Sequence, residues 1–164
     1  MLLLGKQINK LDQRRRVFVP AKFRDALGDE FVVTISGEKK CIQCFSEAEF
    51  ENKFLEIQEK IGEMIDEDSL VMDLFSEAAT VEVDVKGRIT IPETHMKEMD
   101  FEGEVLIIGM GKHVEIWKEE TFNEYKNKSQ KAVQMVKDAD ALMREAHIMK
   151  RISDANALKK STEG

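Results

Sequence analysis

No stretch of the sequence approaches the roughly 18 consecutive apolar residues that a membrane-spanning helix needs. Residues 1–4 are mostly apolar, but no h-region or cleavage site of a secretory leader follows them. That segment reads as a first strand, and the protein as cytoplasmic. Cysteine is scarce, and Cys41 and Cys44 alone make no disulfide framework. They form C-x-x-C, yet a zinc site wants four ligands, and no second C-x-x-C or paired histidine follows. Strand positions three apart point to opposite faces, so two ordinary strand cysteines are expected. His95, His113 and His147 are scattered. No nucleophile or metal cluster accompanies Asp12 and Asp84, so no catalytic residue, metal, cofactor or small-molecule substrate is expected. Gly109-Met-Gly111 lies between two predicted strands and reads as a turn, not a phosphate loop. Proline occurs only at 20 and 92, 72 residues apart.

That interval recurs along the chain. DQRRRVFVP, ending at Pro20, returns as DVKGRITIP, ending at Pro92. The same offset matches Glu30/Glu102, Val33/Val105, Ile35/Ile107, Gly37/Gly109, Lys40/Lys112, Glu47/Glu119 and Phe50/Phe122, and sets Phe45 against Trp117. An unbroken register of this length marks a duplicated unit. Two copies are too few for an open solenoid, so each is expected to complete the other's core.

Each copy alternates polar and apolar residues, first over 8–11 or 80–83 and again at Val17 and Val19 or Ile89 and Ile91. A charged loop separates the two stretches. Pro20 and Pro92 suit the first position of a helix, and Gly28 suits its end. Apolar, β-branched strands are expected at 31–35 and 105–108, with last strands at 41–45 and 114–117. The unit is therefore β-β-α-β-β with a hairpin at each end, and the fold class α+β, mainly β with outer helices.

Four segments follow from this reading: repeat 1 over 5–49, a helical acidic insert over 50–76, repeat 2 over 77–121, and a C-terminal helix and tail over 122–164. The insert helix starts at a capping box, Ser46 with Glu49, and carries an apolar stripe of Phe50, Phe54, Ile57 and Ile61. A short second helix over 70–75 has Ser69 as its expected cap. The C-terminal helix is expected to reach about Ile152, to pack along its first half, and to fray from Lys159 onward.

Charge is unevenly spread. Residues 46–84 carry 13 acidic and 2 basic side chains within a chain of net charge −7, leaving the remainder net positive. Lys6, Lys10, Arg14, Arg15, Arg16, Lys22 and Arg24 crowd the first 30 residues. Local field governs binding to phosphate, so an acidic middle and a basic loop can coexist on different faces.

The two D-x-x-x-R loops concentrate this charge. An Asp at a turn start accepts hydrogen bonds from backbone N–H groups two residues on, and Gly87 offers positive φ. Arg14, Arg15 and Arg16 in one loop, and Lys86 and Arg88 in the other, supply cations. A two-stranded β-ribbon with a basic tip fits a DNA major groove. A single Asp–Arg pair in a hairpin is an ordinary surface ion pair. Two at the same place in a duplicated unit point beyond that.

D-x-K-G-R followed by an apolar strand and I-P resembles the signature of the SpoVT–AbrB superfamily. Two such units, the opening MLLLG with LD, the run AKFRDALGDEFVVT and the later EIW resemble the MraZ family, over residues 1 to about 145. The resemblance implies a double-split, swapped-hairpin β-barrel formed by both repeats. It implies a ring homo-oligomer that binds promoter repeats in double-stranded DNA. It also implies a nucleoid-associated regulator of the division and cell-wall gene cluster, usually repressing it and its own gene. The family pattern falls on Asp12 and Arg16 and on Asp84, Lys86 and Arg88. With the added charge of the first loop, Arg14, Arg15, Arg16, Lys86 and Arg88 are expected to contact DNA, and Asp12, Asp84 and Gly87 to organise the loops. Arg15 replaces the family's usual glycine, so that loop must turn another way or accept strain. Two alternatives remain: a protein-interaction scaffold using the acidic insert or tail, and an antitoxin-like regulator, against which the internal duplication argues.

Overall fold

A computed structural model describes residues 2–36 and 38–163. Met1, Gly164 and Gly37, one member of the Gly37/Gly109 match, lie outside the described residues. The chain divides into two compact units, Met1–Phe122 and Asn123–Gly164.

The first unit is α+β. Repeat 1 supplies β1 (Lys6–Lys10), β2 (Arg16–Phe18), α1 (Ala21–Leu27), β3 (Glu30–Ser36) and β4 (Cys41–Phe45). Helices α2 (Glu47–Ile61) and α3 (Glu67–Ser76) follow. Repeat 2 supplies β5 (Ala79–Glu82), β6 (Arg88–Thr90), α4 (Glu93–Met99), β7 (Glu104–Gly109) and β8 (Val114–Trp117). Helix α5 (Glu119–Thr162) begins within this unit.

Six strands form an antiparallel sheet in the order β1-β7-β8-β4-β3-β5, and β2 pairs with β6 apart from it. Exchanging each strand for its repeat counterpart reverses the six-strand order onto itself. The repeats are thus related by a pseudo-twofold. It passes between Gln43 and Glu115, which face each other in β4–β8, and between Val17 and Ile89 in β2–β6.

This corrects the expected first hairpin. β1 and β2 form no ladder with each other, and Leu11, just past β1, makes an isolated bridge to Val17; β1 takes β7 as its ladder partner and β2 takes β6, both from the other repeat. The reason is burial. β2 and β6 are three residues long and bury Val17 and Ile89 almost completely, and neither strand alone could cover its own apolar face. Full burial of such a side chain stabilises by about 1.5–3 kcal/mol.

The ungapped repeat also hides a slip. Glu30 faces Glu82 in β3–β5, whereas Lys10, the repeat counterpart of Glu82, faces Glu104 and not Glu102. β7 therefore sits two residues later than the alignment places it. The loop before β7 is longer by two, and the β7–β8 turn shorter by two. The even shift leaves inward and outward faces unchanged, and Val33 and Val105 are both buried although they are not spatial counterparts.

One face of the sheet joins β2–β6, α1 and α4 in a common core that includes Val17, Phe23, Ile42, Cys44, Ile89, Val114 and Ile116. Strand alternation sends Phe45 and Trp117 to the opposite face. There Phe50 and Phe75 of α2 and α3 and Phe122 of α5 form an aromatic layer. The acidic helices thus lie on the opposite side of the sheet from the charged loops.

Local signals held in part. Ser46 Oγ accepts the Glu49 N–H at 3.2 Å, as the capping box requires. Asp66, not Ser69, caps α3: its carboxylate accepts the Ser69 N–H at 2.9 Å and hydroxyl at 2.7 Å. The charged carboxylate accepts both Ser69 donors, and charge-assisted bonds are the stronger ones, so the helix starts earlier. Leu3 makes one isolated bridge, to Gly111, so residues 2–4, the described part of the opening apolar segment, form no regular strand.

The second unit is the remainder of α5. It stays helical past Ile152 and through the stretch expected to fray, to Thr162. Val133, Met135 and Val136, in the half expected to pack, are each more than half exposed.

Candidate nucleic-acid interface

The β2–β6 ribbon sets the site. Antiparallel pairing places Arg16 opposite Thr90 and Phe18 opposite Arg88 on the outer face, above Val17 and Ile89 on the inner one. Each acid–arginine loop enters the ribbon at its own strand's first residue. The two arginines stand two residues apart along it, or about 7 Å.

The loops adopt one turn. Asp12 Oδ1 accepts the Arg14 and Arg16 N–H groups at 2.9 and 2.8 Å, and Oδ2 accepts Arg16 Nε at 2.7 Å. Asp84 repeats this with Lys86 and Arg88 N–H, both at 2.9 Å, and with Arg88 Nε at 2.9 Å. Backbone bonds Asp12 N–Arg16 O and Asp84 N–Arg88 O close both turns. The bond from the arginine backbone N–H is the main reason each carboxyl lies below its ordinary value of 3.8, with the arginine side chain and charge adding to it.

Arg15 and Gly87 occupy the same position. Arg15 has φ +61° and Gly87 φ +80°. The first loop therefore accepts strain rather than turning another way. Arg15 Nε donates to the Ile91 carbonyl at 3.1 Å, and the Arg15 carbonyl accepts the Ile91 N–H at 2.8 Å. At the second loop the corresponding space belongs to Arg24 from α1. A Cβ on Gly87 would stand 2.9 Å from Arg24 Cζ and 3.0 Å from Phe18 Cε2. Arg24 also lies over the Phe18 ring, 5.3 Å from its centroid.

Five expected cations therefore divide by role. Arg14 and Lys86 are exposed beside the loop tips. Arg16 and Arg88 are partly buried clamps on Asp12 and Asp84. Arg15 is partly buried against Ile91. Elsewhere in the basic opening, Lys22 donates to the Leu4 carbonyl. Sequence reasoning counted Arg24 among the basic residues but gave it no place at the second loop, because its repeat counterpart is Met96 and offers no matching signal.

A buried polar cluster was also passed over. Glu115, 1% exposed, accepts hydrogen bonds from Gln43, Trp117 and Lys39 and pairs with His113 at 3.0 Å. Burial pushes its carboxyl up, but bonds from His113 and Gln43 and the charge of Lys39 prevail and hold it at about 2. Lys53 closes the cluster on Gln43 at 2.7 Å. Gln43 and Glu115 lie at the repeat offset, polar in otherwise apolar strands, and that match was the available signal. Cys41 and Cys44 are free and buried, and burial pushes both thiols up. Among the described residues, no three potential ligands of the His, Cys, Asp and Glu types gather around a metal position. No described helix is long and apolar enough to cross a membrane.

The model of the family described as "MraZ protein, putative antitoxin-like" matches residues 2–70 and 74–145. The chain is 35% identical over 138 residues to Transcriptional regulator MraZ of Carboxydothermus hydrogenoformans, covering 82% of this chain and 94% of that one. It is 36% identical over 135 residues to the protein of that name from Paenarthrobacter aurescens, covering 80% and 91%. With the Acetivibrio thermocellus protein of that name, identity is 31% over 144 residues, covering 87% and 99%. Residues 146–164 lie beyond the family match.

Proposed function

This chain belongs to the MraZ family, and from that premise we propose a transcriptional regulator that grips double-stranded DNA with its two acid–arginine loops. The family is one of transcriptional regulators, not of enzymes. The observation that carries the reading is the repetition of one carboxylate-locked turn at both strand starts of one ribbon. Locking costs Arg16 and Arg88 their freedom but fixes the exposed cations Arg14 and Lys86 relative to each other. Fixed cations position a protein on phosphates.

In this reading the ribbon and sheet belong to a double-split, swapped-hairpin barrel. Chains assemble into a ring, and the loops of successive subunits meet successive promoter repeats. One pair of loops binds weakly; linkage in a ring raises effective concentration and favours tandem sites. The protein is cytoplasmic and nucleoid-associated. It represses its own gene and the division and cell-wall cluster.

The test is a mobility shift on the chain's own upstream DNA across a salt series. Binding weakens steeply with salt, and Arg14→Ala with Lys86→Ala lowers the log–log slope by about one for each phosphate no longer neutralised. Salt-independent binding, or an unchanged slope in that double variant, overturns it. A protein-interaction scaffold would shift no DNA.

A further inference from the structure

At the apex of each locked turn, beside the exposed cation, stands a side chain that the fold does not use. In the first loop it is Gln13 and in the second Val85. Both occupy the position directly after the organising aspartate, and the pseudo-twofold relates them. Gln13 is exposed and makes no side-chain hydrogen bond among the described residues. Val85 is exposed to the full extent of a free valine, 104%. An apolar β-branched residue at a turn apex adds nothing to the core and little to the turn, which the Asp84 carboxylate already fixes.

We propose that Gln13 and Val85 are the base-reading residues of the interface: Gln13 reads adenine, and Val85 reads the C5-methyl of thymine. The inference rests on the DNA-binding reading above. The neighbouring side chains are spent differently. Asp12 and Asp84 accept from their own loops. Arg16 and Arg88 answer them. Arg14 and Lys86 carry the charge that phosphate attracts, and such contacts position a protein without telling bases apart. Discrimination falls to the apex pair, and their chemistry matches the major-groove code. A glutamine amide donates to adenine N7 and accepts from its N6 amino group, while an apolar group fits the thymine methyl. Because symmetry-related apices carry unlike readers, one chain reads two unlike base positions.

The experiment selects duplexes from a random pool with the full-length protein, Gln13→Ala and Val85→Ala, at one salt concentration. The selected site is then rebuilt with uracil for thymine, or 7-deazaadenine for adenine, one position at a time. For the unaltered chain, removing the key thymine methyl weakens binding about fourfold, the worth of one buried carbon. The same change costs Val85→Ala clearly less, because the shorter side chain leaves most of that contact unmade. Loss of adenine N7 weakens the unaltered chain about fivefold or more, and Gln13→Ala not at all. Measured on the selected site across a salt series, the log–log slopes stay the same in all three proteins. If both variants keep the original base preferences, or lose as much as the unaltered chain on modified DNA, the assignment of these two residues is wrong while DNA binding stands. If the unaltered chain selects no duplex, the DNA-binding reading fails and takes the assignment with it.

Discussion

DQRRR and DVKGR fold into one turn with opposite choices at its fourth residue. Arg15 holds φ +61° with a full side chain, while Gly87 holds φ +80° with none. A left-handed conformation costs an ordinary L-residue about 1–2 kcal/mol. The first loop bears it, so positive φ alone does not explain Gly87. The difference lies in what packs against the turn. At Gly87 the guanidinium of Arg24 and the ring of Phe18 press where a Cβ would be. At the pseudo-equivalent places the other loop has Met96 and Thr90, and Arg15 sends its own side chain to Ile91. Besides its own clamp, each turn thus has one further arginine packed against it. Loop 1 supplies its own, and loop 2 borrows one from α1. What the loops share is the aspartate, so the carboxylate rather than the glycine dictates the turn.

The largest effect is expected from forcing the two loops to be alike. Gly87→Arg must displace Arg24 and Phe18 and also hold positive φ. Overpacking and strain together cost about 2–5 kcal/mol, read as a lower midpoint in urea unfolding. Removing the competitor separates the two causes. In an Arg24→Ala background, Gly87→Arg costs clearly less, because only the Phe18 contact and the backbone strain remain. Equal costs in both backgrounds would mean that Arg24 does not set the need for glycine.

A middle-sized effect is expected from acid, and it should strike both loops together. Asp12 and Asp84 both lie below 3.8, mainly through the bond from their arginine's backbone N–H. A depressed folded-state value means that the carboxylate's contribution is complete above the unfolded value and fades as pH falls through the folded one. Protection from amide exchange at Arg16 and Arg88, taken relative to the intrinsic rate at each pH, should therefore fall in parallel below pH 3.8. Asp84→Asn removes that acid step from the second loop and leaves it in the first. An acid step at Arg88 that survives in Asp84→Asn would assign the titration to another group.

These tests concern residues that the sequence exposed unevenly. The repeat offset, both prolines and both D-x-x-x-R loops were legible because they depend on local chemistry: a carboxylate reaching two and four residues on, and a ring fixing φ. Strand partners were not. β2 and β6 alternate as any half-buried strand does, and alternation says which face is buried, not whose strand is adjacent. The two-residue slip of β7 stayed hidden because an even shift preserves the apolar pattern. Arg24 was illegible for a related reason. Its role is set by an absent Cβ on Gly87, across the repeat boundary, and Met96 breaks the internal match. The division of the loop cations into clamps and free charges needed atomic geometry, since D-x-x-x-R spells both alike.

The smallest effect lies at Arg15, where two terms nearly cancel. Arg15→Gly relieves about 1 kcal/mol of left-handed strain. It forfeits the Nε bond to the Ile91 carbonyl, worth about 1 kcal/mol net, and it gives the unfolded chain the extra freedom of glycine, about 0.4–1 kcal/mol. The net change stays within about 1 kcal/mol, on the destabilising side. Arg15→Ala loses the same hydrogen bond and keeps the strain, so it should be the less stable of the two by denaturant midpoint. That ranking inverts the ordinary one, in which alanine beats glycine wherever φ is negative. If Arg15→Ala proves the more stable, the first loop carries no strain at this residue, and the two turns differ more than their hydrogen bonds indicate.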